Sequence, residues 1–201
     1  MNITTKMFAE LAAKSNLQIA NILRHYFFLS DKVSVWDFDG TMTAFRYAPY
    51  GERMLPCLDS DVRVYSETNN LYAGAYVPQS PTELEMYTPE GEHAARMLGY
   101  VQWIIKYLPH KERVFVLTRT EPTLIDKKNK AILDNFDILP ENIYHVQNAE
   151  DKSTVLRSII ERFQSDIWFV EDSFKTQLNC EEETRDEKFR IHGIHISEFL
   201  V

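Results

Sequence analysis

The chain of 201 residues is poor in cysteine, poor in glycine and short of positive charge. Each shortage excludes something. Two cysteines, Cys57 and Cys180, cannot make a disulfide framework, so the fold must rest on an apolar core, and a reducing, cytoplasmic compartment is expected. Lys and Arg number 22 against 30 Asp and Glu, a formal charge of −8, which argues against bulk nucleic-acid binding. No apolar run reaches the length of a membrane span, and the first residues lack the basic-then-apolar layout of a secretory signal. No repeat or low-complexity tract is visible. The apolar share of 44% is enough for the core of one domain of ordinary size, here 1–201. The sequence ends at Val201, directly after a predicted strand, which leaves open a longer protein.

Short apolar runs alternate with helical patterns. Val33 to Trp36, Val114 to Leu117, Ile143 to Val146, Ile167 to Val170 and Ile191 to Ile196 read as strands. Thr5 to Leu29, broken near Ser15 and Asn16, reads as helix, as do Leu124 to Phe136 and a stretch opened by Asp151-Lys152-Ser153. Thr88-Pro89-Glu90 reads as a helix start, with the helix running to about Leu108, where Pro109 ends it. This alternation predicts an α/β fold, a Rossmann-like three-layer sandwich with a mostly parallel sheet. Between the first strand and that helix, residues 44–88 form a small insertion. Arg46, Tyr47, Pro49, Tyr50, Gly51, Arg53 and Pro56 read as loop, and Val62 to Val77 as a hairpin about Glu67-Thr68-Asn69-Asn70.

The densest chemistry follows the first strand, in Asp37-Phe38-Asp39-Gly40-Thr41. Residues i and i+2 leave a strand on one side, so Asp37 and Asp39 can face one site. Two neighbouring carboxylates ask for a cation or a shared proton. Gly40 permits a sharp turn and close approach of backbone N–H groups. The next two motifs also follow apolar runs: Thr118-Arg119-Thr120 and Glu171-Asp172-Ser173. In open parallel sheets, sites form beyond the carboxyl ends of strands.

Asp-Phe-Asp-Gly-Thr after an apolar strand resembles the first motif of the haloacid dehalogenase superfamily, and the motif order matches from Asp37 to Asp172. The resemblance implies a Mg²⁺-dependent phosphatase of small-cap type, with residues 44–88 as the cap. Asp37 matches the nucleophile, Asp39 the acid/base, Thr118 the phosphate-binding hydroxyl and Lys152 the charge-offsetting lysine. Lys127, Lys128 and Lys130 are set aside for that last role because they lie too near Thr118. Asp37, the backbone carbonyl of Asp39, and Asp172 match the metal ligands. Glu171 departs mildly from the family pattern and is expected to orient Asp172 or to act through water. Thr118, Arg119 and Lys152 are the expected substrate contacts, with Arg46, Arg53 and Arg63 near the mouth.

A short cap implies an open site that admits a phosphate on a large molecule. A phosphoprotein is the leading substrate, and phosphotyrosine the leading single choice, with Tyr47, Tyr50 and Tyr65 available for an aromatic slot. Some members of this kind are secreted bacterial effectors that act in a host cytosol. The alternatives are a small-metabolite phosphatase, a phosphotransferase that passes the group to an alcohol, and a non-catalytic binding module that kept the fold. Cys57 to Arg63 has the C-x5-R spacing of cysteine-dependent phosphatases, but Asp59 and Asp61 would repel a phosphate there and no glycine eases the loop. The histidines show no metal-binding cluster, and the run Glu181-Glu182-Glu183 reads as a solvated face.

Overall fold

The computed structural model describes residues 16–47, 54–56, 62–67, 70–75, 84–85, 93–97 and 99–199. Helix α1 (Asn16–Leu29) leads into strand β1 (Val33–Trp36). Later come helix α2 (Gly99–Tyr107), strand β8 (Val114–Arg119), helix α3 (Ile125–Asn135) and strand β9 (Ile143–Val146). Helix α4 (Lys152–Phe163), strand β10 (Ile167–Glu171), helix α5 (Phe174–Glu183) and strand β11 (Ile191–His195) complete the order. Between β1 and α2 lie β2 (Thr43–Tyr47), β3 (Met54–Pro56), β4 (Val62–Glu67), β5 (Asn70–Ala75), β6 (Leu84–Glu85) and β7 (His93–Met97).

Five strands form one sheet in the order β11-β10-β1-β8-β9, and every pairing in it is parallel. Alternation along the strands builds two cores. Val33 and Val35 of β1 join Phe115, Leu117 and Phe169 under Leu156, Ile159 and Ile160 of α4. Trp36 joins Val116, Val170 and Ile194 under Val101, Ile104 and Ile105 of α2 and Ile132 of α3. Helices therefore cover both faces, and the fold is the expected Rossmann-like three-layer arrangement. The central strand is buried along its whole length, which is why it reads as a short apolar run with no polar face.

The order places a topological switch beside β1. Connections run from β1 to β8 to β9, then return to β10 on the other side of β1. The crevice beyond the carboxyl ends of β1 and β10 is the expected place for a ligand in such a sheet.

The intervening segment departs from expectation at three strands. Thr43–Tyr47 is a strand and not loop, and it pairs antiparallel with His93–Met97, which was expected to be helix. Helix α2 starts only at Gly99. His-Ala-Ala-Arg-Met contains good helix formers, but ladder pairing with β2 overrides that local preference. Met54–Pro56, expected as loop, pairs antiparallel with β4. The expected hairpin is present, with β4 and β5 paired antiparallel and Glu67 opposite Asn70. The helix start at Thr88, residues 5–15 of the first helix, Val77, Tyr50, Arg53 and Cys57 lie outside the described residues. Among the described residues, no helix is long and apolar enough to cross a membrane.

Candidate active site

Asp37 follows the last residue of β1 and donates its backbone N–H to the Val170 carbonyl at 2.9 Å, extending the parallel ladder by one step. Its side chain is buried. Glu171 ends the neighbouring β10, and Asp172 follows it. The switch point thus brings three carboxylates together. Asp37, Glu171 and Asp172 each offer an oxygen, and these atoms all lie within 4.8 Å of one another.

Lys152 is the first residue of α4, and its side chain crosses to this cluster. Its Nζ donates to Asp37 Oδ1 and to Glu171 Oε2, each at 2.7 Å. All three side chains are nearly solvent-free, with relative exposures of 5%, 5% and 3% for Lys152, Asp37 and Glu171. Glu171 is held at its other oxygen as well, where Oε1 accepts the Ser173 backbone N–H at 3.2 Å. One ammonium therefore bonds two of three clustered carboxylates, and the imbalance shifts their pKa values. Desolvation, then the Glu171 charge, pushes the Asp37 carboxyl up to about 7, against the pull of Lys152. Desolvation and the charges of Glu171 and Asp37 hold Asp172 well above the usual carboxylate range. Burial alone would depress Lys152, but Asp37 and Glu171 outweigh it and keep the ammonium charged.

Gly40 carries the turn that closes the first motif. Its φ of +81° lies in the left-handed region, and a Cβ there would stand 2.4 Å from Asp172 Oδ2. Both facts require glycine: the backbone conformation and the approach of Asp172. From the other side, His195 Nε2 lies 2.8 Å from the Asp172 carbonyl. Burial depresses the His195 pKa, so the ring is neutral and Nε2–H is the donor. The ring stacks on Phe174 with centroids 3.7 Å apart and planes 2° from parallel. His195 thus anchors the Asp172 turn.

The second group of residues lies on the β8 side of β1. Asp39 is partly open, with 24% side-chain exposure. Thr118, fully buried near the end of β8, donates its hydroxyl to Asp39 Oδ2 at 3.4 Å. Arg119 is exposed and enters the site through its carbonyl, which accepts from Thr118 Oγ1 at 3.4 Å and from Lys128 Nζ at 3.0 Å.

Lys128 is the residue that sequence reasoning set aside. It is 2% exposed, and its Nζ lies 2.5 Å from Asp39 Oδ2 and 3.2 Å from Thr118 Oγ1. Proximity in sequence to Thr118 is no obstacle, because α3 turns back over the end of β8. The signal was present in the helix period: Lys128, Ala131 and Ile132 share the i, i+3, i+4 face and all three are buried, whereas Lys127 and Lys130 are exposed. Lys152 also lies among buried carboxylates, so among the described residues the site has two buried lysines.

Asp37, Asp39, Thr118, Arg119, Glu171 and Asp172 lie at the carboxyl ends of β1, β8 and β10 or just beyond them, and Lys152 opens α4, whereas Arg46 lies on β2 and Arg63 on β4, in the other two sheets. Asp37, Asp172 and Lys152 meet at one cluster, and Asp39 and Thr118 at another. Glu171 belongs to the first as a full member of the carboxylate group and as a Lys152 partner. No family model, curated protein or solved structure matches the chain.

Proposed function

We propose that the chain is a phosphomonoester phosphatase that works through a phosphorylated Asp37. The observation that carries this reading is the Lys152 bridge, 2.7 Å to Asp37 and 2.7 Å to Glu171, at the switch point of a parallel sheet. It fixes a buried carboxylate where a substrate can approach, with an ammonium beside it to offset the charge of an incoming phosphate.

The donor set fits a divalent cation. It is all oxygen, its atoms lie within 4.8 Å of one another, and burial with mutual repulsion raises Asp37 and Asp172. A hard ion relieves that repulsion. Mg²⁺ is the ion we infer, held by Asp37, Asp172 and the Asp39 carbonyl, with Glu171 beside them. When bound, it would supply charge neutralisation and alignment of the phosphoryl group.

The residues themselves supply two balanced steps. An Asp37 oxygen bonds to phosphorus as the bond to the leaving oxygen breaks. The leaving oxygen keeps that electron pair and takes the proton carried by Asp39. Asp39, now a carboxylate, then takes a proton from water as the water oxygen attacks phosphorus and the Asp37–phosphorus bond breaks. The Thr118 hydroxyl donates to a phosphoryl oxygen, and Lys152 offsets the accumulated negative charge.

For the substrate we infer phosphotyrosine on a protein. The support is the shortness of the 44–88 segment, taken as a small cap, and its tyrosines Tyr47, Tyr50 and Tyr65. The test is phosphate release from an aryl phosphate and a phosphopeptide panel, with Mg²⁺ or with EDTA, for wild type, Asp37→Asn and Cys57→Ser. Expected is release that needs Mg²⁺, disappears in Asp37→Asn, survives in Cys57→Ser and favours phosphotyrosine peptides. Metal-independent release lost in Cys57→Ser would overturn the mechanism. Preference for small phosphorylated metabolites would overturn the substrate alone.

A further inference from the structure

Lys128 has no part in the mechanism above, yet among the described residues only Lys128 and Lys152 are buried cations. An ammonium that is 2% exposed is costly to bury unless its protons are all engaged. The three described acceptors are Asp39 Oδ2 at 2.5 Å, Arg119 O at 3.0 Å and Thr118 Oγ1 at 3.2 Å. Its charge also lies 5.8 Å from the centroid of Phe38, the residue between the two aspartates. The neighbouring Lys130, by contrast, is 75% exposed and pairs with Asp134 on the outer face of α3.

These contacts have a directional consequence. An ammonium can only donate, so Thr118 Oγ1 accepts from Lys128 and must send its own proton elsewhere. Two acceptors stand 3.4 Å from Thr118 Oγ1 in this structure, Asp39 Oδ2 and the Arg119 carbonyl. The same ammonium holds the Asp39 carboxylate on the Thr118 side of the crevice. We propose that Lys128 is a positioning residue that aims the Asp39 carboxyl at the leaving oxygen. This inference rests on the phosphatase reading. Among the described residues the site holds four carboxylates, Asp37, Asp39, Glu171 and Asp172, and two ammonium groups, Lys128 and Lys152.

The test compares two substrates of similar shape. The para-nitrophenyl phosphate leaving group departs with little need of a proton, whereas that of para-nitrobenzyl phosphate, an alkoxide, needs one. Lys128→Met removes the ammonium, and Lys128→Gln keeps an N–H donor toward Thr118 and Arg119. Melting curves establish which of the two is folded, and kinetics are read on that one. Expected is a loss of about 10²-fold in kcat on the benzyl substrate, as for other misplaced reacting groups. On the phenyl substrate the expected loss is under about 5-fold, because proton delivery matters little there. KM should change little on either. Added to Asp39→Asn, the same substitution should cost less than about 3-fold more, because both act on one step. Equal losses on the two substrates, a raised KM with unchanged kcat, or a full additive loss on top of Asp39→Asn would each overturn the positioning role. Wild type that releases phosphate from neither substrate would overturn the phosphatase reading first, and this inference with it. Active wild type with an unimpaired Lys128 variant would overturn this inference alone.

Discussion

The two lysine-centred halves of the site are built on opposite electrostatic terms. On the β10 side, one ammonium bonds two of three clustered carboxylates, and Lys152, Asp37 and Glu171 are almost without solvent. On the β8 side, one ammonium pairs with one carboxylate, and Asp39 keeps 24% exposure. The first half is short of positive charge by more than one unit and cannot draw on water to make up the difference. It is the half suited to a divalent cation. Among the described residues the second half pairs its charges one to one, and its carboxylate stays open to solvent. The difference teaches that a lysine beside an aspartate has no fixed meaning: the number of remaining charges and the access of water decide what it does.

The contrast can be broken first at the nucleophile. Asp37→Asn should reduce phosphate release by on the order of 10⁴-fold, as removal of other covalent nucleophiles does. Loss of a few-fold would remove Asp37 from that role. Next come the lysines as stability groups. Lys152→Met should cost about 3–5 kcal/mol in urea unfolding, because it leaves buried carboxylates uncompensated. A cost below that of Lys128→Met would reverse the order of the two halves.

Metal addition sharpens the same point. Asp37, raised to about 7, keeps its proton in the folded state over a range where the unfolded chain has lost it. Its stabilising contribution is therefore complete below about pH 4 and disappears as pH rises through about 7. Metal-free protein should lose stability across that window, and Mg²⁺ at about 100 times its dissociation constant should restore about 2.7 kcal/mol, seen as a rise in melting temperature of about 5–10 °C. At one fixed Mg²⁺ concentration the rise should be larger at pH 8 than at pH 5. An equal rise at both would place the ion away from these carboxylates.

Gly40→Ala should cost about 1–3 kcal/mol from backbone strain at its left-handed φ and should weaken Mg²⁺ binding by displacing Asp172. Titration of the melting temperature with Mg²⁺ reads both. The smallest effect is expected for Lys128→Met, about 1–2 kcal/mol, because water can reach the carboxylate left behind.

The parts of the molecule that could be read from the chain were those where local pattern and tertiary role agree. β1, β8, β9, β10 and β11 are apolar runs with polar residues at their carboxyl ends, and the sheet places those ends side by side. β2 and β7 were missed because their partner strands supply what their own residues do not: Thr43–Tyr47 lies in a polar, proline-containing region, and His93–Met97 is built of helix formers. Lys128 was missed for a different reason. Its closeness to Thr118 along the chain counted against it, although the spacing to Ala131 and Ile132 puts it on the inner face of α3. The role of His195 behind Asp172 had no local signal, since the contact joins residues 23 apart in sequence.

The central claim is a phosphoryl group on Asp37. Borohydride added during turnover of an aryl phosphate reduces an aspartyl-phosphate to homoserine, which mass spectrometry of the peptide that carries residue 37 detects. The account predicts homoserine at position 37 in wild type with Mg²⁺, and none with EDTA or in Asp37→Asn. Active enzyme with Asp37 unmodified, or with the phosphoryl group on Cys57, would contradict it.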